Sequence, residues 1–180
     1  MRITDDTTIG VIVDIQEKLL PFISGAETIV PATVRLIRGL QLVGVPVIYT
    51  EQYPKGLGPT VPDIIAELPL LDPMIKSSFS CCDDNPFREA LAQSGKKTVL
   101  LAGIEAHVCM LQTAVDLVEL GYNPVVIADC TGSRSPFDRD IAFGRMRHEG
   151  VRISTVESIL FELTRYSGTP RFKEISRLVK

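Results

Sequence analysis

Apolar positions along this chain follow two alternating periods. Short unbroken apolar runs read as buried parallel strands; longer stretches with apolar residues every three or four positions read as amphipathic helices. Thr8-Ile9-Gly10-Val11-Ile12-Val13-Asp14 is the first such run, closed by an acid at its carboxyl end. Residues 15–20 read as a short helical turn stopped by Pro21. Residues 27–43 read as a helix whose apolar face carries Ile29, Val30, Val34, Ile37, Leu40 and Leu42, with Gly44 ending it. A second strand over 45–50 starts at a tolerated Pro46, and a Gly/Pro-rich loop over 51–60 follows as a candidate pocket rim. A short helix over 62–67, a short strand over 74–76 ending in Lys76, and a helix over 86–93 come next.

The run Lys97-Thr98-Val99-Leu100-Leu101-Ala102 is a buried strand that turns at Gly103 and enters a helix. Val108, Leu111, Ala114, Val115 and Val118 fall on one face of that helix, with Cys109 in its first turn. Strands over 124–129 and 151–156 and helices over 136–148, 158–164 and 170–179 complete the chain. Strands alternating with helices in this way predict an α/β fold. The expected architecture is one domain over 1–180, a Rossmann-like three-layer α/β/α sandwich on a mostly parallel sheet of about six strands.

Composition narrows the function. The 180 residues are 45% hydrophobic and 23% charged, with a formal net charge of −3 and no dense run of Lys or Arg, so nucleic acid is not an expected partner. No apolar run approaches the roughly 20 residues of a membrane span, and the N-terminus lacks the order of a signal peptide. The expectation is a soluble, cytoplasmic protein acting on a small molecule. Four cysteines, Cys81, Cys82, Cys109 and Cys130, form no metal-type CxxC pair and read as free thiols. Cys81 and Cys82 lie in a loop and read as packed or solvent-facing rather than reactive.

Asp14, Lys76 and Cys109 fall at or just beyond carboxyl ends of strands, the edge where open α/β sheets bind ligands. A thiol at a helix start feels the unpaired N–H groups and the positive end of the dipole, which favour thiolate. A carboxylate can take its proton, an ammonium can stabilise both, and N–H groups of the first turn can receive an oxyanion. Each residue also has a plain reading: Cys109 as core filler, Asp14 as a cap, Lys76 as a solvated charge. His107 stands two positions from Cys109, and i and i+2 on a helix do not face each other, so a structural or pocket-wall role fits it better than that of a base.

Over nearly its whole length the chain resembles the isochorismatase-like cysteine hydrolases. The matching pieces are Val11-Ile12-Val13-Asp14-Ile15-Gln16, Lys76-Ser77-Ser78-Phe79-Ser80, Gly103-Ile104-Glu105-Ala106-His107-Val108-Cys109 and Ala128-Asp129-Cys130-Thr131-Gly132-Ser133-Arg134. The loop over 50–60 and the tail over 168–173 look most like the isochorismatase-domain-containing subgroup, whose substrate is generally unassigned. The resemblance implies a triad of Asp14 as general base and acid, Lys76 as electrostatic partner and Cys109 as nucleophile. It also implies a cis peptide between Ile104 and Glu105, with the backbone N–H groups of Glu105 and Cys109 forming an oxyanion hole.

Two departures refine this. Nicotinamidase relatives hold a metal through an Asp-x-His pair and a further His; here the corresponding loop offers Glu51, Gln52 and Tyr53, and the only histidines are His107 and His148. No metal and no cofactor are therefore expected. Isochorismatases proper lack the nucleophilic cysteine, so Cys109 points away from vinyl-ether hydrolysis. The expectation is a metal-independent hydrolase of a small amide or related acyl compound through a Cys109 thioester, with Tyr53, Phe79 and His107 as pocket walls. Two alternatives are a catalytically silent binding or interaction protein on the same scaffold, and a thiol redox sensor. The family commonly forms dimers or larger oligomers, and the apolar tail residues Phe172, Ile175 and Leu178 suit either inward packing or a second chain.

Overall fold

A computed structural model describes residues 2–180. Six strands, β1 (Thr8–Val13), β2 (Val47–Gln52), β3 (Met74–Lys76), β4 (Thr98–Ile104), β5 (Asn123–Gly132) and β6 (Arg152–Ser154), form one sheet. Every pairing is parallel and the spatial order is β3-β2-β1-β4-β5-β6. The chain moves outward from β1 through β2 to β3, then returns to lay β4 on the other side of β1. That reversal makes the crevice beyond β1 and β4 the topological switch point, where doubly wound sheets bind ligands.

The helices are α1 (Ala26–Val43), α2 (Pro54–Leu57), α3 (Pro62–Ile65), α4 (Asn85–Ser94), α5 (Leu111–Glu119), α6 (Pro136–His148), α7 (Val156–Thr164) and α8 (Pro170–Leu178). They cover both sheet faces, which explains why the strands are continuous apolar runs. On β1 and β4, Ile12, Leu100, Ala102 and Ile104 face one core with Leu36 and Leu40 of α1 and Leu160 of α7. Val11, Val13, Val99 and Leu101 face the other, with Phe87 of α4, Leu117 of α5 and Met146 of α6.

Two local expectations are corrected. Residues 15–20 turn later than expected: Asp14 takes a left-handed φ of 53°, Gln16 makes an isolated bridge with Thr60 and its carbonyl accepts the Leu19 and Leu20 N–H groups at 3.1 Å and 3.0 Å, and Pro21 lies inside the 3-10 turn that follows, Leu20–Phe22, rather than stopping the chain there. The chain also does not turn at Gly103. β4 runs straight through to Ile104, pressed so closely on β1 that a Cβ at 103 would stand 2.2 Å from the Val13 carbonyl oxygen. Only after Ile104 does the chain leave the sheet, and it enters α5 through one π-helical turn, Ala106–Met110. No described helix is long and apolar enough to cross a membrane.

Candidate active site

Strand register assembles the site. Val13 at the end of β1 pairs with Thr50 of β2 and with Gly103 of β4, while Gln52, two residues further along β2, pairs with Lys76. Asp14, Thr50, Gln52, Lys76 and the turn carrying Cys109 therefore meet at one edge of the sheet. Asp14 is fully buried; its Oδ1 accepts a hydrogen bond from Thr50 Oγ1 at 2.8 Å and its Oδ2 lies 2.6 Å from Lys76 Nζ. The ammonium also donates to the carbonyls of Ser78 (3.0 Å) and Phe79 (3.2 Å), so two hydrogen bonds and the ion pair with Asp14 fix it. Burial by itself would lower the Lys76 pKa, but the Asp14 carboxylate and the neighbouring thiols outweigh it and hold the group above its ordinary value.

Cys109 lies in the π-helical turn with 4% of its surface exposed. Its thiol donates to Gln52 Oε1 at 3.1 Å, and the Asp14 carboxylate is close enough to act on it electrostatically. Burial and then Asp14 push this thiol up, and Lys76 only partly offsets them. The thiolate favoured by a helix start is thus not the resting state; desolvation dominates over the dipole. The Asp14–Lys76 ion pair thus stands beside a thiol that resists ionisation.

The turn is fastened from both ends. The Ile104–Glu105 peptide is cis, and Glu105 Oε2 accepts from the backbone N–H (3.2 Å) and Nε (3.0 Å) of Arg134. His107 Nδ1 pairs with Ser133 Oγ at 2.9 Å, a structural contact to the same loop. Tyr53 and Phe79 are respectively 60% and 52% exposed in the single chain, so neither ring is enclosed by it. Beside Glu105 opens a cavity of about 460 Å³ with apolar walls from Leu19, Phe22, Ile23 and Leu57, to which Lys18 and Arg134 also contribute.

Three neighbours are not among the site residues read from the sequence. Thr50 orients Asp14, and Gln52 takes the thiol proton's hydrogen bond. Gln16 locks the end of β2: its Oε1 accepts the Gln52 N–H at 2.8 Å and its Nε2 donates to the Gln52 and Gly58 carbonyls. Cys81 and Cys82 are both buried, and Cys81 Sγ lies 4.0 Å from Thr50 Oγ1, directly behind the ion pair. Glu51 and Gln52 belong to the end of β2 rather than to the expected loop, and they do not fit a nicotinamidase-type metal: Glu51 Oε1 is taken by the Thr60 N–H at 2.6 Å and Gln52 faces the thiol. Among the described residues no three His, Cys, Asp or Glu side chains gather to hold an ion.

Comparison with known proteins places this architecture. Residues 8–158 match the family model of the isochorismatase domain. Mouse isochorismatase domain-containing protein 2A is 39% identical over 179 residues, covering 99% of this chain and 85% of its own length. The structure of MAR1 ribonuclease from Caenorhabditis elegans superposes with a TM-score of 0.94 at 38% identity, over 99% of this chain and 92% of that one. The YcaC gene product of Escherichia coli, described as an octameric hydrolase of unknown specificity, matches at 25% identity and a TM-score of 0.88, over 92% of this chain and 83% of its own. The chain belongs to the isochorismatase family, a membership that supports a hydrolase role.

Proposed function

We propose that this chain is a metal-independent cysteine hydrolase that opens a small amide, or a related acyl compound, through a thioester on Cys109. The carrying observation is the buried Cys109 thiol gathered at one sheet edge with a carboxylate, Asp14, that lies 2.6 Å from the Lys76 ammonium. A neutral thiol needs a base at the moment of attack, and Asp14 is that base. As the sulfur–carbon bond forms, the thiol proton passes to Asp14 and the carbonyl electron pair moves onto oxygen. The N–H groups of Glu105 and Cys109, just before and within the π-helical turn, receive that oxyanion. Asp14 returns the proton to nitrogen as the carbon–nitrogen bond breaks and ammonia or an amine leaves. Water, deprotonated by Asp14, then attacks the thioester; the acid departs and the thiol is restored. Lys76 holds Asp14 in position while the proton comes and goes; the ammonium is already directed at Asp14, Ser78 and Phe79.

The test is a panel of small amides assayed with wild type and Cys109→Ala, with intact-mass analysis of the wild-type protein during turnover. An acyl adduct on Cys109 and no turnover in the variant support the reading; full activity in Cys109→Ala sinks it.

The name of the Caenorhabditis elegans structure favours one second reading, RNA cleavage. The net charge of −3 and the buried Asp14 carboxylate disfavour a polyanion at this site. An RNA substrate belongs in the same panel, and RNA cleavage lost in Cys109→Ala would move the assignment to that reaction. We also propose a homo-oligomer, because Phe137 and Ile141 form an exposed apolar pair one turn apart on α6, 72% and 60% exposed. Sedimentation shows an assembly, and Phe137→Glu with Ile141→Glu dissociates it; a monomeric wild type refutes this.

A further inference from the structure

Resting on the hydrolase reading above, we infer that Gln52 is the specificity-determining residue of the site: its side-chain oxygen selects substrates whose leaving group carries an N–H. The structure holds Gln52 Oε1 as an acceptor 3.1 Å from Cys109 Sγ, with the thiol as its donor. That donor disappears in the reaction, because the thiol proton moves to Asp14 as sulfur attacks. An acceptor left orphaned in a largely desolvated site is unfavourable, and the tetrahedral centre bound to sulfur brings a replacement within reach. Of the groups on that carbon, the oxygen belongs to the N–H donors of the turn, and the acyl chain has nothing to give. A nitrogen leaving group offers an N–H to Gln52 and thereby turns its lone pair toward the proton held by Asp14. An ester oxygen has no proton to offer; it sets a lone pair against Gln52 Oε1.

The position is also built to be rigid. Gln16 grips Gln52 through its main chain, accepting its N–H at 2.8 Å and donating to its carbonyl at 3.0 Å. The Gln52 side chain is left for the thiol, and its replacement leaves the end of β2 in place. A site that hydrogen-bonds a substrate N–H discriminates strongly against an analogue that lacks it.

The experiment compares one acyl group as primary amide and as methyl ester, in wild type and in Gln52→Leu, with Gln52→Met as a variant of equal length. The variants lower kcat/KM for the amide about 10-fold to 100-fold and leave the ester within about 3-fold, the loss of one substrate hydrogen bond. Equal loss on both substrates, or none on either, overturns the role of Gln52 while leaving the hydrolase reading intact. Absence of turnover of both substrates by wild type overturns the hydrolase reading instead. The inference is then decided by alkylation of Cys109, using iodoacetamide against methyl iodoacetate, each rate divided by that of free cysteine. A wild-type preference for the carboxamide that vanishes in Gln52→Leu supports Gln52 as an N–H acceptor; a ratio equal to that of free cysteine rejects it.

Discussion

Asp14 pulls two reactions of Cys109 in opposite directions. Its carboxylate raises the thiol, and it is the base that hydrolysis requires. Asp14→Asn keeps a partner for Thr50 Oγ1 but removes the charge, leaving the Lys76 ammonium to lower the thiol pKa. Loss of a neighbouring carboxylate shifts a thiol by about one to three pH units, so iodoacetamide alkylation of Cys109 near neutral pH should accelerate about 10-fold or more. Hydrolysis in the same variant should fall about 10³-fold, since nothing takes up or returns the proton. Alkylation and turnover that fall together would show that Asp14 serves only to hold the thiol in place. Lys76→Met is harsher, because it strands a buried carboxylate; breaking such a pair costs about 3–5 kcal/mol and shows as a lowered urea midpoint. Asp14, Lys76 and Cys109 were legible in the sequence because each closes or follows an apolar run. Thr50 and Gln52 were not: their roles arise from the pairing of Val13 with Thr50 and of Gln52 with Lys76, a register between distant segments that periodicity does not encode.

At the level of elements, the close contact of β4 with β1 governs where Asp14 and the Cys109 turn stand. A Cβ at Gly103 would meet Val13 backbone atoms at 2.2 Å and 2.9 Å, and backbone cannot swing aside as a side chain does. Gly103→Ala must part the two strands immediately before Asp14. The expected cost is about 1–3 kcal/mol, a drop of several degrees in Tm, with a loss of turnover larger than the stability change explains. Gly144→Ala in α6 is the matched control: nothing lies within 4 Å of its Cβ, so a gain of up to about 1 kcal/mol is expected from helix propensity. Equal thermal shifts in the two variants would refute the close-approach account. Glycine in the motif was visible in the sequence, but it read as a turn because glycine after an apolar run ordinarily is one. The π-helical turn was invisible for a similar reason. Its residues have ordinary helical propensity, and the contacts that flank and hold it, Glu105 to Arg134 and His107 to Ser133, come from a loop distant in sequence.

Across the whole molecule, strand–helix alternation foretold a parallel three-layer sandwich, and the order β3-β2-β1-β4-β5-β6 places its switch point at the thiol and the carboxylate. The same burial that builds the two cores makes the fold sensitive to alkali. All four cysteines are buried and all four thiols are raised, chiefly by desolvation: Cys81 from 9.0 to about 11, Cys82 to about 12, and Cys109 and Cys130 likewise upward. In the unfolded chain these thiols ionise near 9.0, while the folded chain keeps their protons. The native state therefore binds more protons above that pH, and stability falls as pH rises. The contribution is intact below 9.0 and is lost progressively as pH climbs from 9.0 toward the raised native values. Each thiol adds a slope of up to about 1.4 kcal/mol per pH unit. Lys76, raised above 10.5, acts in the same direction but only at still higher pH. Urea midpoints measured from about pH 7.5 to 10.5 should be level at first and then drop steeply, with the denaturant slope unchanged. Cys130→Ala, remote from the proposed chemistry in β5, lowers stability at every pH by its lost packing yet flattens the alkaline limb by one thiol's share. An unchanged limb in that variant would mean that the buried thiols do not set the alkaline limit of this fold.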